Sequence, residues 1–307
     1  MISIILPGCK KELSEKEPVL KAMEHPSFIP DGIRKFILTE KGEEVFCLSK
    51  EPADYKMEFD YWEIINPYED VMTVNTEEMY RLFETLSELD FTTGEAAEGL
   101  ETGIENSDMG LLLEFVNTED TGIAKNTEKA DSKVEVLFGN TDGEGNIFAA
   151  LKGKEEQVYR IPQEIVQEFY KIDAFDYILK IPALVDIQTV SEVEIKMENQ
   201  TWKLQPDVEK GLYKCNKEKV EKDDFTKLYQ ALSSVILREE ATGALPSGDE
   251  EVLKVVYHRN MEDAPEIEIQ YFTWNEQYDY VEINQNCRFL VEKTSVDSLV
   301  SQIKSTF

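Results

Sequence analysis

Apolar and polar positions alternate through two long blocks of the chain, and in each block one stretch lengthens its period from two residues to between three and four. In the first block, residues 32–38 and 43–49 alternate around Lys41-Gly42, which predicts a hairpin, and Trp62 begins a further strand. Residues 111–116, 134–138, 147–151 and 158–161 then read as an antiparallel meander. Between these groups, Asn75-Thr-Glu-Glu78 is a capping arrangement, followed by Met79, Leu82, Phe83, Leu86 and Leu89 on one helical stripe. Pro162 opens a short closing helix carrying Ile165, Val166 and Phe169. The second block predicts strands at 193–197, 202–204, 252–257, 267–272, 280–283 and 289–291. Its helical stripe is Phe225, Leu228, Tyr229, Leu232 and Val235, and its closing helix bears Val296, Leu299 and Ile303.

The blocks resemble each other beyond what amphipathic periodicity alone produces. Leu82 and Leu86 recur 146 positions on as Leu228 and Leu232, with Ser87 matched by Ser233. Trp62 with Pro67 is matched at Trp202 with Pro206, and Thr102-Gly103-Ile104 with Ser107 is matched at Thr242-Gly243-Ala244 with Ser247, the Trp and Gly shifts being 140. The expected fold class is therefore α+β: two tandem repeats, each an antiparallel β-meander with an amphipathic helix packed on it and a closing short helix. The expected divisions are 1–27 (signal remnant and tether), 28–180 and 181–307. Residues 117–133 lack periodicity and read as a surface loop of the first repeat only. The joining stretch, 173–186, holds Phe175, Tyr177, Ile178, Leu179 and Leu184, too apolar for a free linker, so the repeats are expected to pack together.

Composition narrows the function classes. The chain has 307 residues, of which 41% are hydrophobic and 10% aromatic, enough for a folded core in each repeat. Its 63 acids against 32 bases give a net charge of −31, which repels nucleic-acid phosphates and anionic membrane surfaces. The charge reads as a solvated exterior, with a cation-rich partner as the alternative. No apolar run is long enough to span a bilayer as a helix, so any membrane attachment is expected through a lipid anchor. Met1-Ile-Ser-Ile-Ile-Leu-Pro-Gly-Cys9 resembles the end of a bacterial lipoprotein signal, which makes Cys9 a candidate lipidation site and residues 10–30 a tether. Pro7 and the short apolar stretch depart from that pattern; the alternative is an ordinary cytosolic N-terminus with an exposed thiol.

Catalytic signatures are absent from the sequence. The two histidines are His25, in the expected tether, and His258, at a strand end. There is no nucleophile elbow, HExxH, phosphate loop or dinucleotide fingerprint, and Cys47, Cys215 and Cys287 form neither a CxxC nor a disulfide framework. Residues 140–147 carry oxygen donors at alternate positions with glycines, but Leu151 stands where a calcium loop needs its bidentate Glu, so a glycine-rich hairpin turn is the better reading. Tyr271, Phe272, Trp274, Tyr278 and Tyr280 read first as sheet packing and otherwise as a stacking platform for a glycan or peptide. No catalytic, cofactor or metal residues are assigned, no cofactor is expected, and the chain is not expected to be an enzyme.

Trp62 with Pro67, the 82–89 helix, Gly103-Ile104, Leu137-Phe138-Gly139 and the Val158-Tyr159-Arg160-Ile161 strand together resemble a bacterial family catalogued as domain of unknown function 4340. The likeness extends over about residues 33–303. The second repeat departs from it, with Gln270-Tyr271-Phe272 in place of Leu-Phe-Gly. The resemblance implies an extracytoplasmic lipoprotein or tethered protein and carries over no catalytic residues. The resulting expectation is a non-catalytic, lipid-anchored binding module for an unknown protein or envelope component; the alternative is a solute-binding receptor using a cleft between the repeats.

Overall fold

A computed structural model describes residues 21–22, 33–50, 62–68, 72–115, 132–241, 251–261 and 265–306. The alternating segments form two large sheets. The first contains β1 (Lys21–Ala22), β2 (Ile33–Glu40), β3 (Glu43–Ser49), β4 (Glu63–Asn66), β5 (Met72–Thr73), β6 (Glu95–Ala96), β7 (Met109–Phe115), β8 (Ser132–Thr141), β9 (Asn146–Leu151) and β10 (Gln157–Pro162). The second contains β11 (Val190–Met197), β12 (Gln200–Asp207), β13 (Leu212–Cys215), β14 (Glu218–Val220), β15 (Leu237–Glu240), β16 (Glu251–Arg259), β17 (Glu266–Thr273), β18 (Tyr278–Ile283) and β19 (Cys287–Glu292).

Strand order is β5-β4-β3-β2-β7-β8-β9-β10-β6 in the first sheet and β14-β13-β12-β11-β16-β17-β18-β19-β15 in the second. These are one connectivity drawn twice: four strands run outward to one edge, the chain crosses to the far edge, then a four-strand meander fills the space between. All pairings within the two nine-strand orders are antiparallel, while β1 pairs with β8 in parallel.

Helices cover the inner face of each sheet. The helix α1 (Thr76–Ser87) begins where the Asn75 side chain accepts a hydrogen bond from the Glu77 amide at 3.2 Å. A helix of this length is marginal in isolation; its stability comes from burying Met79, Leu82, Phe83 and Leu86, each large side chain contributing about 1.5–3 kcal/mol. Phe83 meets Trp62 and Phe36, and Phe36 also meets Phe169 of α2 (Gln163–Tyr170). After α3 (Ala174–Tyr177), the second half repeats the scheme with α4 (Lys222–Ala231) and α5 (Lys293–Thr306), where Phe225 packs on Tyr213 and Tyr229 on Tyr257. α4 ends at Ala231, so Leu232 and Val235, the last members of its predicted stripe, are buried from the turn that follows it.

The Trp landmark needs correction. Trp202 lies within β12, paired with Ile195, whereas Trp62 precedes β4, the next strand outward from the counterpart of β12. Register places Trp202 at the strand position that Phe46 fills in the first half. Both Trp side chains are buried, but at different sites. The short strands β5, β6, β13, β14 and β15 were not predicted. The expected partners of Thr102 and Gly103 at 242–247, most of the 117–133 loop, Cys9 and His25 lie outside the described residues, while Lys21–Ala22 of the expected tether form β1.

The connecting segment is packed on both sides. The Asn75 amide donates to the Tyr177 carbonyl and the Leu179 amide to Thr73, while the Leu237 amide donates to Lys180 of the same segment. Ile178 and Val185 are buried, Tyr177 packs on Phe46, and Phe289 of the second half contacts both Phe175 and Tyr68. The Tyr68 hydroxyl donates to Glu240 at 2.6 Å across this joint. Among the described residues no helix is long and apolar enough to cross a membrane.

Candidate functional site

The outer face of the first sheet carries a second, small core. Ile104, Phe148, Ala150 and Val158 are buried there, with Ala97, Leu100 and Leu137 against them, because the segment after β6 folds back over the sheet. Gly139 allows the approach: its neighbour Asn140 donates its amide to the Thr102 carbonyl at 2.7 Å, and a Cβ at Gly139 would stand 2.1 Å from that oxygen. Gly103, at φ +68°, lies so close that a Cβ would strike the Asn140 side chain. The sequence signal was Leu137-Phe138-Gly139, whose glycine serves this close contact.

Between the folded-back segment and α2 lies an open cavity of about 850 Å3, within the range of about 300–1,000 Å3 common for small-ligand sites. A smaller cavity of about 290 Å3 adjoins it, sharing Gly139, Asn140 and Tyr170 in its lining. Gln163 and Gln167 project from one face of α2, one turn apart, and Tyr170 follows. Thr141 and Leu100 face them. Among the described residues, the side-chain amides of Gln163 and Gln167 and the hydroxyls of Thr141 and Tyr170 make no hydrogen bond. The Tyr170 ring is 41% exposed and rests edge-on against Phe138. Burial, then the nearby Asp108 charge, pushes its phenol above the ordinary value, so it is a protonated donor at neutral pH.

One end of the cavity is fixed by charge. The Asp142 carboxylate accepts from the Glu144 amide (2.7 Å), the Asn146 amide (3.0 Å), Asn146 Nδ2 (2.8 Å) and Arg160 (2.6 Å). The Asn146 side-chain hydrogen bond leads the causes that hold Asp142 far below the usual carboxylate range. Arg160 also binds Glu95 and lies over the Phe148 ring at 5.0 Å. Its single charge is therefore matched by two acids. The 140–147 segment is a β8–β9 hairpin turn closed by this carboxylate; with strands on both sides and Asp142 committed internally, it has no calcium-loop geometry.

Elsewhere, Glu192, Glu194 and His258 bring three possible metal-ligating atoms together. Lys203 already occupies the space as a cation, bound to Glu192 at 2.9 Å and Glu194 at 2.8 Å; Lys196 also binds Glu194, and Gln205 binds Glu192. Hydrogen bonds from Lys196 and Lys203 hold Glu194 down at about 2. His258 pairs with Glu266 at 2.9 Å on the same outer face. The thiols of Cys47 and Cys215 are pushed up to about 12 and about 11, chiefly by burial, which suppresses thiolate chemistry at neutral pH. Of the aromatic run, Tyr271 joins the inner core, while Phe272 stacks on Tyr280 at 4.8 Å with Trp274 against the same ring.

Tyr68, Phe175 and Phe289 meet at the joint between the halves, and both cavities described above lie on the first half. Sequence reasoning singled out the 140–146 turn and missed Gln163, Gln167 and Tyr170, whose polar positions on α2 read as an ordinary solvent face. Comparison with protein-family models, with curated proteins and with solved structures finds no match to this chain.

Proposed function

We propose that the chain is a non-catalytic binding module, built from two copies of one α+β unit, whose ligand surface is the groove of the first half. One observation carries this reading: uncommitted amides and hydroxyls of Gln163, Gln167, Thr141 and Tyr170 line a preformed cavity whose cation, Arg160, is already bound by two acids. Such groups hold and orient a partner. The matching connectivity of the two sheets supports descent from one unit. Likeness to domain of unknown function 4340 and the residues before Cys9 support an extracytoplasmic, lipid-anchored setting with an envelope component as partner.

A photoreactive residue placed at Gln167 in cells expressing the gene with its native upstream sequence tests the groove. The matching position on α5, Asp297, is the control. Adducts formed at Gln167 and not at Asp297 support the reading; equal labelling at both overturns it. Palmitate labelling in the same cells tests the anchor, and a label that survives Cys9→Ala removes Cys9 from the proposal.

A further inference from the structure

The groove's chemistry narrows its ligand. We infer that it takes a neutral, polyhydroxylated ligand, an oligosaccharide chain, gripped by the Gln163 and Gln167 amides and faced by the Tyr170 ring. This inference rests on the groove being the binding surface.

An anionic ligand needs a spare cation, and Arg160, the cation in the lining, is bound to both Asp142 and Glu95, while Glu101 adds to the same wall a carboxylate that repels anions and accepts from hydroxyls. An apolar ligand needs an apolar lining, whereas Gln163, Gln167, Thr141 and Asn140 make much of this wall polar. An extended peptide docked by its backbone pairs with an open strand edge and sets alternate side chains into pockets; here the uncommitted groups are side-chain amides and hydroxyls.

A carboxamide offers two donors and an acceptor on one plane, which suits neighbouring hydroxyls that are each donor and acceptor. Two such amides one helical turn apart address successive hydroxyl groups. Tyr170 supplies what a sugar's C–H face requires: an aromatic surface, 41% exposed, already held in place by Phe138. The adjoining smaller cavity continues past Tyr170, giving room for a chain longer than one ring. The second half lacks these groups at the matching places, where Lys293, Asp297 and Val300 stand on α5.

An array of immobilised neutral oligosaccharides, followed by calorimetry with the free trisaccharide of each glycan retained, tests this with the intact chain. At least one neutral glycan is expected to bind. Gln163→Ala with Gln167→Ala is expected to weaken it about tenfold or more, since two hydrogen bonds of about 1 kcal/mol are lost. Tyr170→Ala is expected to weaken binding more than Tyr170→Phe, which keeps the ring. Because all three residues reach solvent, the variants should melt with the wild type, and that measurement separates lost binding from lost folding. Retention of a glycan that the Gln163, Gln167 and Tyr170 variants hold equally well overturns the inference. Failure of every neutral glycan to bind, while crosslinking at Gln167 persists, overturns the oligosaccharide and leaves the groove standing. Failure of both removes the groove as the binding surface.

Discussion

On the outer face of the first sheet, Leu137, Ala150 and Val158 stand where Gln270, Glu282 and Arg288 stand on the second. Register fixes the correspondence: Phe138 pairs with Ala149 as Tyr271 pairs with Val281, and Phe148 pairs with Arg160 as Tyr280 pairs with Leu290. In the first half the apolar trio is roofed by the segment carrying Ile104 and Leu100. In the second, Glu282 and Arg288 form an ion pair at 2.7 Å, and Lys254 binds Glu268 nearby. The inner faces meanwhile do the same job with similar residues. One connectivity thus tolerates two unrelated outer faces, because the inner face and its helices suffice to hold the sheet. The groove arises where the first half uses backbone, over Gly139, to cover a surface that the second half covers with the ring of Phe272.

The largest test of that contrast exchanges a single methyl for a ring. Gly139→Ala drives its Cβ against the Thr102 carbonyl, a backbone atom that cannot rotate away. A loss of about 2–3 kcal/mol is expected from the overpacking, together with loss of the Asn140 to Thr102 hydrogen bond and opening of the groove. Phe272→Ala, which strips the second half's cover from Tyr280, is expected to lose a similar amount through the opposite defect, a void. Denaturant unfolding measures both. A Gly139→Ala protein as stable as wild type would mean that the folded-back segment is not held there.

A smaller effect follows from the inner face, where the second half places a charged pair at positions that are uncharged in the first. Asp279 is fully buried on β18 with Lys293 Nζ 3.2 Å from its Oδ1, at positions that Ile147 and Gln163 fill in the first half. Burial, only partly offset by Lys293, raises its carboxyl above the ordinary 3.8. The native state then holds that proton more tightly than the unfolded chain does. Asp279 therefore opposes folding increasingly as pH rises from about 4 through the higher folded value, and the opposition vanishes below the unfolded value. Asp279→Ile with Lys293→Gln, which copies the first half, should raise stability at pH 7 by about 1–2 kcal/mol. The gain should shrink toward pH 4. Urea titrations at the two pH values decide it; a gain independent of pH would assign the effect to packing instead.

How much of this was legible in the sequence depends on how local each feature is. The long strands and the four helical stripes were readable because alternation and the 3.6-residue period are local signals. Strands such as β13 were missed because four residues give too short a pattern, although Tyr213 and Cys215 do alternate inward before a tight turn at Asn216-Lys217. The Trp62 and Trp202 match failed for a related reason. A large aromatic between apolar residues marks burial in general and says nothing of which strand buries it. Of the groove, the turn at 140–146 showed in its glycines and Asp142, but Gln163, Gln167 and Tyr170 became a wall only through the fold-back over Gly139. That contact joins residues distant in sequence, and no local pattern encodes it.

The smallest test concerns how each half starts its first long helix. α1 has a side-chain cap, Asn75 accepting from the Glu77 amide, and the Asn75 backbone is itself tied to Tyr177 of the joint. At the same point α4 begins after Glu221, whose side chain makes no capping hydrogen bond. Both helices have acids in their first turn, Glu77 and Glu78 against Asp223 and Asp224, so their interaction with the helix dipole is alike and the cap is what differs. Asn75→Ala removes an acceptor for an otherwise orphaned amide and should cost about 1 kcal/mol. Glu221→Ala removes no such partner and should stay within about 0.5 kcal/mol of wild type. Equal losses from the two substitutions would show that α1 is started by its packing against the joint, and that the two halves begin their helices in the same way after all.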